Sequence, residues 1–276
     1  MKSESSPQAA PILVFFALDV ESGYFEDKLK EQKRVQANGF RLVRGIYNEK
    51  TYIVVKTGAG RKAAAHAADA VCRAHRPPFV ISAGFAGALD ADVSRGALVL
   101  PDKIKSGKDV LNLNVSYDNV SLLKDVLLRV RWGGTLLTAD KVAGKSEEKR
   151  ALARECGAQI VDMETFEIAR VCRDLDLPMV SIRAVTDNVD DEIPPDIQAL
   201  LKQSSKAGQA GAALTLMWKR PAAFKQLCAL RENAMTSAID MSSVIPALAQ
   251  AYSAAEVLPI SVPKQTPLLL PSEEET

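Results

Sequence analysis

Short, mostly apolar runs that alternate with helical segments constrain the fold of this chain more than any other feature. Three such runs lie at residues 11–18, 79–83 and 179–185. Runs without a regular polar alternation are typical of strands buried on both faces of a sheet. Strand and helix patterns alternate over most of the first 218 residues. We therefore predict the α/β class, as a single domain of three layers, α/β/α, around a mixed central sheet.

The alternation of strand and helix patterns, together with the composition of the last residues, divides the chain of 276 residues into a main domain and a C-terminal part. We predict the α/β domain over residues 11–218, a helical extension over residues 219–256, and a disordered tail over residues 257–276, where four prolines and an acidic end limit burial. Within the domain we predict helices at residues 22–33, 121–130 and 194–218, paired strands at 41–47 and 52–57, and a turn at 84–87. Pro246 should lie in the first turn of a helix, where its missing N–H costs little.

The charge and the cysteine content argue against several classes of partner. The chain carries 35 basic and 34 acidic residues, which gives no electrostatic reason to expect nucleic acid or an anionic membrane. Its four cysteines are widely spaced and it has only two histidines, so no metal-site spacing occurs. The first apolar run is far shorter than a membrane span. We expect a soluble cytoplasmic protein that uses no metal and no organic cofactor.

Three acidic residues follow the ends of predicted strands. Glu21 comes after the first run, Glu164 after a short strand at residues 159–161, and Asp187 after the run at 179–185. Ligands of α/β proteins bind outside the carboxyl ends of strands, which makes these side chains candidates for catalysis. Each also has a structural interpretation, Glu21 and Glu164 as acids at a helix start and Asp187 as a turn residue.

Arg183 lies inside an apolar strand, four residues before Asp187. Buried arginine is rare unless it is paired, so this position favours a site over a plain core. Residues 58–60 and 84–87 contain glycines at strand ends, where glycine permits close approach of the backbone to a ligand. For both segments a simple turn is the alternative, and the first lacks the spacing of a known phosphate loop.

Six segments taken together resemble the nucleoside phosphorylase/nucleosidase superfamily, and in particular its 5′-methylthioadenosine/S-adenosylhomocysteine nucleosidases. The resemblance covers roughly residues 11–218 and is carried by residues 17–21, 57–65, 82–87, 137–140, 161–164 and 182–187. Each segment alone is weakly specific, but the presence of all six in this order and spacing is strong evidence for the superfamily. The resemblance implies hydrolysis of the N-glycosidic bond of a purine nucleoside, such as methylthioadenosine or S-adenosylhomocysteine, to free base and a ribosyl product.

The resemblance also implies roles for individual residues. Asp187 would protonate N7 of the purine or donate a hydrogen bond to it, and Glu21 would activate the attacking water. Arg183 would lie near the water or phosphate pocket, and Glu164 would hold the ribose hydroxyls. Further contacts with the substrate are implied for Met163, Phe85, Ala86, Val142 and Ala143.

Three departures from the family pattern leave the substrate open. Phe85 replaces a small hydroxyl residue, Val142 replaces an aromatic residue that stacks on the base, and Thr165 and Phe166 replace small residues. The arginine and serine that superfamily phosphorylases place near residues 82–87 are missing, which favours water over phosphate. The alternatives are a phosphorylase on the same scaffold and a non-catalytic nucleoside-binding protein. The family commonly assembles, so a homo-oligomer is expected.

Overall fold

The computed structural model describes residues 10–37, 39–114, 130–192, 221–254 and 259–263. These residues form one sheet of twelve strands, flanked by five helices. The strands are β1 (Ile12–Phe16), β2 (Lys30–Ala37), β3 (Phe40–Tyr47), β4 (Lys50–Lys56), β5 (Val80–Ala88), β6 (Leu98–Leu100), β7 (Lys103–Ser106), β8 (Asp109–Asn112), β9 (Val130–Trp132), β10 (Thr135–Thr138), β11 (Ile160–Asp162) and β12 (Met179–Asp187). The helices are α1 (Asp19–Glu26), α2 (Arg61–His75), α3 (Ser146–Cys156), α4 (Thr165–Asp174) and α5 (Pro221–Ala254).

The sheet is mixed, as predicted, and it branches at β5. Strand β1 runs parallel to both β5 and β4, and β3 and β2 continue the sheet antiparallel. Strand β12 runs parallel to β5 on its other side and carries β6 and β9. The end of β5 also pairs with β11, which is antiparallel to it and leads to β10, β7 and β8. Because β11 runs against β5, the residues that follow it return toward the middle of β5.

The first strand is buried on both faces, and its two faces belong to two different cores. Ile12, Val14 and Phe16 pack in the core that also contains residues of α5, such as Met241 and Leu248. The intervening residues of β1 face a second core, formed with α2 and α4. Helices therefore cover both sides of the sheet, which confirms the predicted three-layer α/β/α arrangement.

The predicted helix at residues 22–33 is too long, because α1 ends at Glu26 and β2 begins at Lys30. The sequence of β2 is rich in charged residues that suit an exposed helix, and most of residues 30–36 are indeed exposed. Tertiary pairing decides the outcome, since β2 forms the edge of the sheet against β3. Charged side chains on an edge strand also discourage pairing with another chain.

The predicted turn at residues 84–87 is also wrong, because these residues continue strand β5. They pair with β12 in parallel register, with a bulge between Val185 and Asp187. Gly84 is required by close packing rather than by a turn. A Cβ on this glycine would collide with Nη1 of Arg183 and come within 3.0 Å of Oε1 of Glu21.

Pro246 lies inside the long helix α5 and not in a first turn, contrary to the prediction. A proline there deprives the carbonyl four residues earlier of its helical hydrogen bond. That carbonyl belongs to Ser242, and it accepts a hydrogen bond of 3.0 Å from Nζ of Lys28 instead. Burial of Met241, Ile245 and Leu248 holds the helix against the sheet. The predicted extension thus contributes a layer of the main core, and its separation as a domain at residue 218 stays a prediction.

Part of the predicted tail is docked on the sheet. The backbone of Ser261 exchanges two hydrogen bonds, of 2.8 and 3.1 Å, with Asn112 of β8. Residues 264–276 lie outside the described residues, as do the predicted helix at 194–218 and all but the last residue of the one predicted at 121–130. Within the described part of the chain, no helix is both long and apolar enough to cross a membrane.

Candidate active site

The branch point of the sheet brings the predicted catalytic residues to one place. Strand β1 leads into α1 and Glu21, while β12 carries Arg183 and ends at Asp187. The antiparallel β11 leads to Glu164, which lies close enough to Glu21 and Arg183 to interact electrostatically with both. Strand β5 touches all three of these strands, so it is the common wall of the candidate site.

Glu21 is 4% exposed, and backbone N–H groups hold its carboxylate. Its Oε2 accepts hydrogen bonds from the amides of Ala17, at 2.9 Å, and Leu18, at 2.7 Å, at the start of α1. Its Oε1 accepts one from the amide of Phe85, at 2.9 Å, in β5. Burial raises the pKa of Glu21, and these N–H groups and the nearby Arg183 act in the opposite direction. The carboxylate is therefore fixed between β1 and β5.

Arg183 is buried and paired, as its place in an apolar strand predicted. Its Nη2 donates hydrogen bonds to the hydroxyls of Ser82, at 2.5 Å, and Thr165, and lies 3.3 Å from Oδ2 of Asp162. Its Nη1 passes over Gly84 toward Glu21. Its Nε has no hydrogen-bond partner among the described residues. The guanidinium thus joins β5, β12 and α4 beneath the site.

Asp162 is the charge partner of Arg183, and the sequence analysis assigned it no role. It is buried, and it accepts hydrogen bonds from the hydroxyl of Thr138, at 2.8 Å, and from the amide of Thr165, at 3.1 Å. The hydroxyl of Thr165 is a further donor to the same carboxylate. An acid at the end of an apolar strand was the available signal, since a buried Arg183 needs a counter-charge.

Glu164 is half-buried, just before the first turn of α4. Its Oε1 accepts a hydrogen bond of 2.6 Å from the amide of Gly60, and its Oε2 accepts one of 3.2 Å from that of Met163. Withdrawal from water and the neighbouring acids Asp162 and Glu21 together raise the pKa of Glu164 to about 7, against the lowering effect of the Gly60 amide and Arg183. Gly60 has φ of 94° and precedes α2, so the glycine turn at residues 58–60 serves this carboxylate.

Asp187 is 6% exposed and contacts a lysine that the sequence analysis missed. Nζ of Lys149 donates a hydrogen bond to Oδ2 of Asp187, and the hydroxyl of Thr186 donates one of 3.1 Å to Oδ1. Burial raises the pKa of Asp187, while the Lys149 charge lowers it. Lys149 lies in the charged run Ser146–Cys156, which is typical of a solvated helix. The local sequence pattern therefore gives no indication that this lysine is buried.

The predicted substrate contacts differ in how deeply they lie. Ala86 and Ala143 are buried, whereas Phe85 and Met163 are half-buried. Phe85 packs against the core shared by β1 and α5. The side chain of Val142 is 45% exposed, so the position expected to stack on a base lies open at the surface of this chain.

A cavity of about 330 Å³ lies away from these acids, between the β7–β8 hairpin, α4 and the docked C-terminal segment. It is lined by Lys108, Asp109, Val110, Leu111, Phe166, Arg170, Arg173, Val262 and Pro263. The two arginines are already ion-paired, Arg170 with Glu167 and Asp174, and Arg173 with Asp174. The convergence of acids, rather than this cavity, marks the candidate active site.

The chain is similar in sequence to known proteins over most of its length. Residues 11–217 match the family described as the Phosphorylase superfamily. A 5′-methylthioadenosine/S-adenosylhomocysteine nucleosidase of Staphylococcus aureus strain MRSA252 is 23% identical over 208 residues, which span 68% of this chain and 91% of that protein.

Two solved structures from Helicobacter pylori share the fold. A 5′-methylthioadenosine/S-adenosylhomocysteine nucleosidase with butyl-thio-DADMe-Immucillin-A matches with a TM-score of 0.66 and 18% identity, over 87% of this chain and 100% of that one. The native futalosine hydrolase of strain 26695 matches with a TM-score of 0.66 and 19% identity, over 88% of this chain and 100% of that one.

Proposed function

This chain belongs to the phosphorylase superfamily, and from that premise we propose that it hydrolyses the N-glycosidic bond of a purine nucleoside. The substrate class is a 5′-modified adenosine of the methylthioadenosine or S-adenosylhomocysteine type, and the products are free base and the ribosyl residue. The observation that carries the proposal is that Glu21 and Glu164 lie beside the buried Arg183, while Asp187 ends the same strand as Arg183 and lies against Gly87 of β5. The three carboxylates have different hydrogen-bond partners. This suits a reaction in which one group must activate the nucleophile, another must bind the sugar and a third must protonate the base.

Asp187 acts at the base. Purine leaves poorly as an anion, so cleavage needs a proton on N7 or a strong hydrogen bond to it. A carboxyl group can supply this near neutral pH only if its pKa is raised, and burial acts on Asp187 in that direction. The half-buried Phe85 and the buried Ala86 and Ala143 would line the base pocket. The exposed Val142 would face the base at its open side.

Glu164 acts at the sugar. Cleavage of an N-glycosidic bond, like that of an O-glycoside, passes through an oxocarbenium-like sugar. Each oxygen of Glu164 already accepts one backbone N–H and keeps a further acceptor site for a ribose hydroxyl. Bonds to both hydroxyls would hold the ring and favour the positive charge that develops on it. Met163, half-buried beside Glu164, would pack against the sugar.

Glu21 and Arg183 act at the nucleophile. A carboxylate whose pKa is raised by burial is a better base for a water molecule than an exposed one. Arg183 lies beside Gly84 and Glu21 and opposes that rise, which keeps a population of the ionised base. The mechanism uses these side chains and water alone.

The pairing of the cations supports water rather than phosphate as the nucleophile. Arg183 is engaged by Asp162, and Arg61 is engaged by Glu167, at 2.6 Å, and by Asp140, at 3.3 Å. A phosphate dianion would have to compete with these acids for both guanidinium groups. A phosphorylase on the same scaffold is the second candidate, and strict phosphate dependence of base release would establish it.

The setting of the reaction is proposed as the cytoplasm, in the recovery of methionine from methylthioadenosine. Cys72, Cys156 and Cys172 are free thiols, which suits a reducing compartment. A homo-oligomer is proposed as the active form, since a second copy could cover the exposed Val142.

A base-release assay tests the proposed function. The full chain is incubated with methylthioadenosine, S-adenosylhomocysteine, adenosine and inosine, each with and without phosphate, and free base is measured. We expect base release from the 5′-thio nucleosides without phosphate. Absence of release from all four substrates in both conditions would refute the function. Binding without turnover, unchanged in an Asp187→Asn variant, would instead establish a non-catalytic nucleoside-binding protein.

A further inference from the structure

Lys149 is the most deeply buried charged residue near the candidate site. Its side chain is 0% exposed, although it lies in a helix of otherwise solvated charges. An ammonium group has three N–H donors and no acceptor. The three acceptors around it are Oδ2 of Asp187, the carbonyl of Asn188 at 2.7 Å and the carbonyl of Asp191 at 3.0 Å. All three donors are therefore used on one short segment.

That segment, residues 187–191, is fastened at several other points. Arg95 donates through its amide to Oδ1 of Asn188, at 2.7 Å, and pairs with Asp191 at 2.5 Å. The amide of Asn188 donates to Oδ2 of Asp191, at 2.6 Å. Arg150, next to Lys149 on α3, pairs with Asp190 at the surface. Lys149 is thus one of several residues that hold the segment. Among the described residues, it alone binds both the carboxylate of Asp187 and backbone carbonyls of the residues that follow.

We propose that Lys149 is a positioning residue for Asp187, which holds Oδ2 as a hydrogen-bond acceptor so that the proton delivered to the base resides on Oδ1. This inference rests on the proposed function. Oδ2 is engaged by the charged ammonium, whereas Oδ1 accepts a single hydrogen bond of 3.1 Å from the neutral Thr186 hydroxyl and keeps a second lone pair for the acidic proton. Lys149 keeps its own proton throughout. The acidic proton moves from Oδ1 to N7 of the purine as the glycosidic bond breaks, while Glu21 takes the proton that the attacking water loses.

The charge of Lys149 has a second consequence, for the pH at which the acid form of Asp187 is present. The charged groups that act on Asp187 are Lys149, which favours the carboxylate, and Asp191, which disfavours it. Asp190 also interacts with Lys149, but Arg150 pairs with it at the surface. Without the lysine charge, burial and Asp191 would act unopposed except by the Thr186 hydrogen bond. The pKa of Asp187 should then rise.

The test compares pH profiles of kcat/KM for the full chain and its Lys149→Met and Lys149→Arg variants. A general acid loses activity as the pH rises through its pKa. In Lys149→Met we expect lower activity and a descending limb moved to higher pH by on the order of one to three units. Lys149→Arg keeps the charge and should keep the limb near its wild-type position. An unmoved limb in Lys149→Met would overturn the proposal, whether or not activity falls.

Arg150→Met is the matched control, since it loosens the same segment from the same helix without touching Asp187. Its limb should coincide with that of the wild type. An equal shift in Arg150→Met would also overturn the proposal, because loosening of the segment would then explain both variants.

An activity-independent measurement separates this inference from the proposed function. The Asp187 carboxyl carbon is titrated by ¹³C NMR, with its signal assigned through Asp187→Asn, in the wild type and in Lys149→Met and Lys149→Gln. We expect a higher pKa in both variants, and an unchanged value would refute the pairing. Lys149→Gln removes the charge but retains N–H donors, so it still tests the proposal if Lys149→Met does not fold. A wild type that releases no base from any nucleoside would remove the proposed function, and with it the role of Lys149 in catalysis, while the titration would still decide the pairing.

Discussion

The two ends of the candidate site hold their carboxylates in different ways. Glu21 is held by three backbone N–H groups, whereas Asp187 is held by a buried ammonium and a hydroxyl. Backbone dipoles do not titrate and cannot be exchanged by mutation. A full charge nearby shifts a carboxyl pKa by on the order of one to three units and can be removed with one substitution. The base end is thus tuned by side-chain chemistry, while at the nucleophile end the backbone of β1 and β5 holds the carboxylate and the charge of Arg183 is one contribution among several.

Removal of the acid at the base end should have the largest effect. Asp187→Asn keeps the shape and the amide can still bind Thr186, but it has no acidic proton to deliver. We expect turnover of the nucleoside to fall by on the order of a hundred- to ten-thousandfold. Single-turnover base release measures the chemical step directly. An unchanged rate would exclude Asp187 as the acid, and the comparison between the two ends of the site would no longer hold.

The geometry of the nucleophile end can be disturbed through Gly84. In Gly84→Ala, the added methyl group collides with Nη1 of Arg183 and crowds Oε1 of Glu21. Displacement of either group should lower kcat/KM by on the order of a hundredfold. Gly23→Ala is the control, because among the described residues no atom outside the backbone of α1 and the two neighbouring residues lies within 4 Å of its new methyl group. Equal activity of the two variants would show that the position of Glu21 and Arg183 is not critical.

Glu164 lies between the two ends and should produce an intermediate effect. Glu164→Gln removes the charge that holds the ribose hydroxyls, and we expect kcat/KM to fall roughly ten- to hundredfold at high pH. The wild-type rate should gain a component that rises with pH through about 7, the pKa of Glu164, and the variant should lack it. Identical pH profiles would contradict the assignment of this carboxylate to the sugar.

The raised pKa of Glu164 also predicts how stability depends on pH. The folded protein binds this proton more tightly than the unfolded chain does, so the contribution of Glu164 is favourable below its ordinary pKa of 4.5 and is lost as the pH rises to about 7. Glu164→Gln removes that dependence. Urea unfolding of both proteins at pH 5 and pH 8 should therefore show the variant gaining stability relative to the wild type at pH 8. A constant difference would contradict the raised pKa.

The hydroxyl at the base end should matter least. Thr186→Val keeps the β-branched shape but removes the hydrogen bond of 3.1 Å to Oδ1 of Asp187. That bond lowers the pKa of Asp187, so its loss should raise the pKa by less than about one unit and change kcat/KM a few-fold. The descending limb of the pH profile measures the shift. A shift as large as that expected for Lys149→Met would mean that the hydroxyl, not the charge, tunes this end.

The sequence could predict the fold class and the main candidate residues because both depend on local pattern. The apolar run of β1, with no polar alternation, requires burial on both faces, and the observed cores on its two sides follow from it. A lone arginine in such a strand, Arg183, announces a buried charge that needs partners. The family resemblance, which the match over residues 11–217 confirms, supplied the expected roles of the acids.

Only the tertiary structure decided which residues meet across the chain. The charged segment 30–37 becomes a strand because β3 offers an edge, and Pro246 is tolerated inside α5 because Lys28 reaches the carbonyl that the proline leaves free. Asp162 and Lys149 are separated from Arg183 and Asp187 by many residues, so no local pattern links them. A buried charge needs an opposite charge or hydrogen-bond partners wherever it lies, but the sequence shows only that partners are needed, not which residues they are. The folded sheet brings β5, β11, β12 and α3 together, and this arrangement determines which side chain becomes the partner of each buried charge.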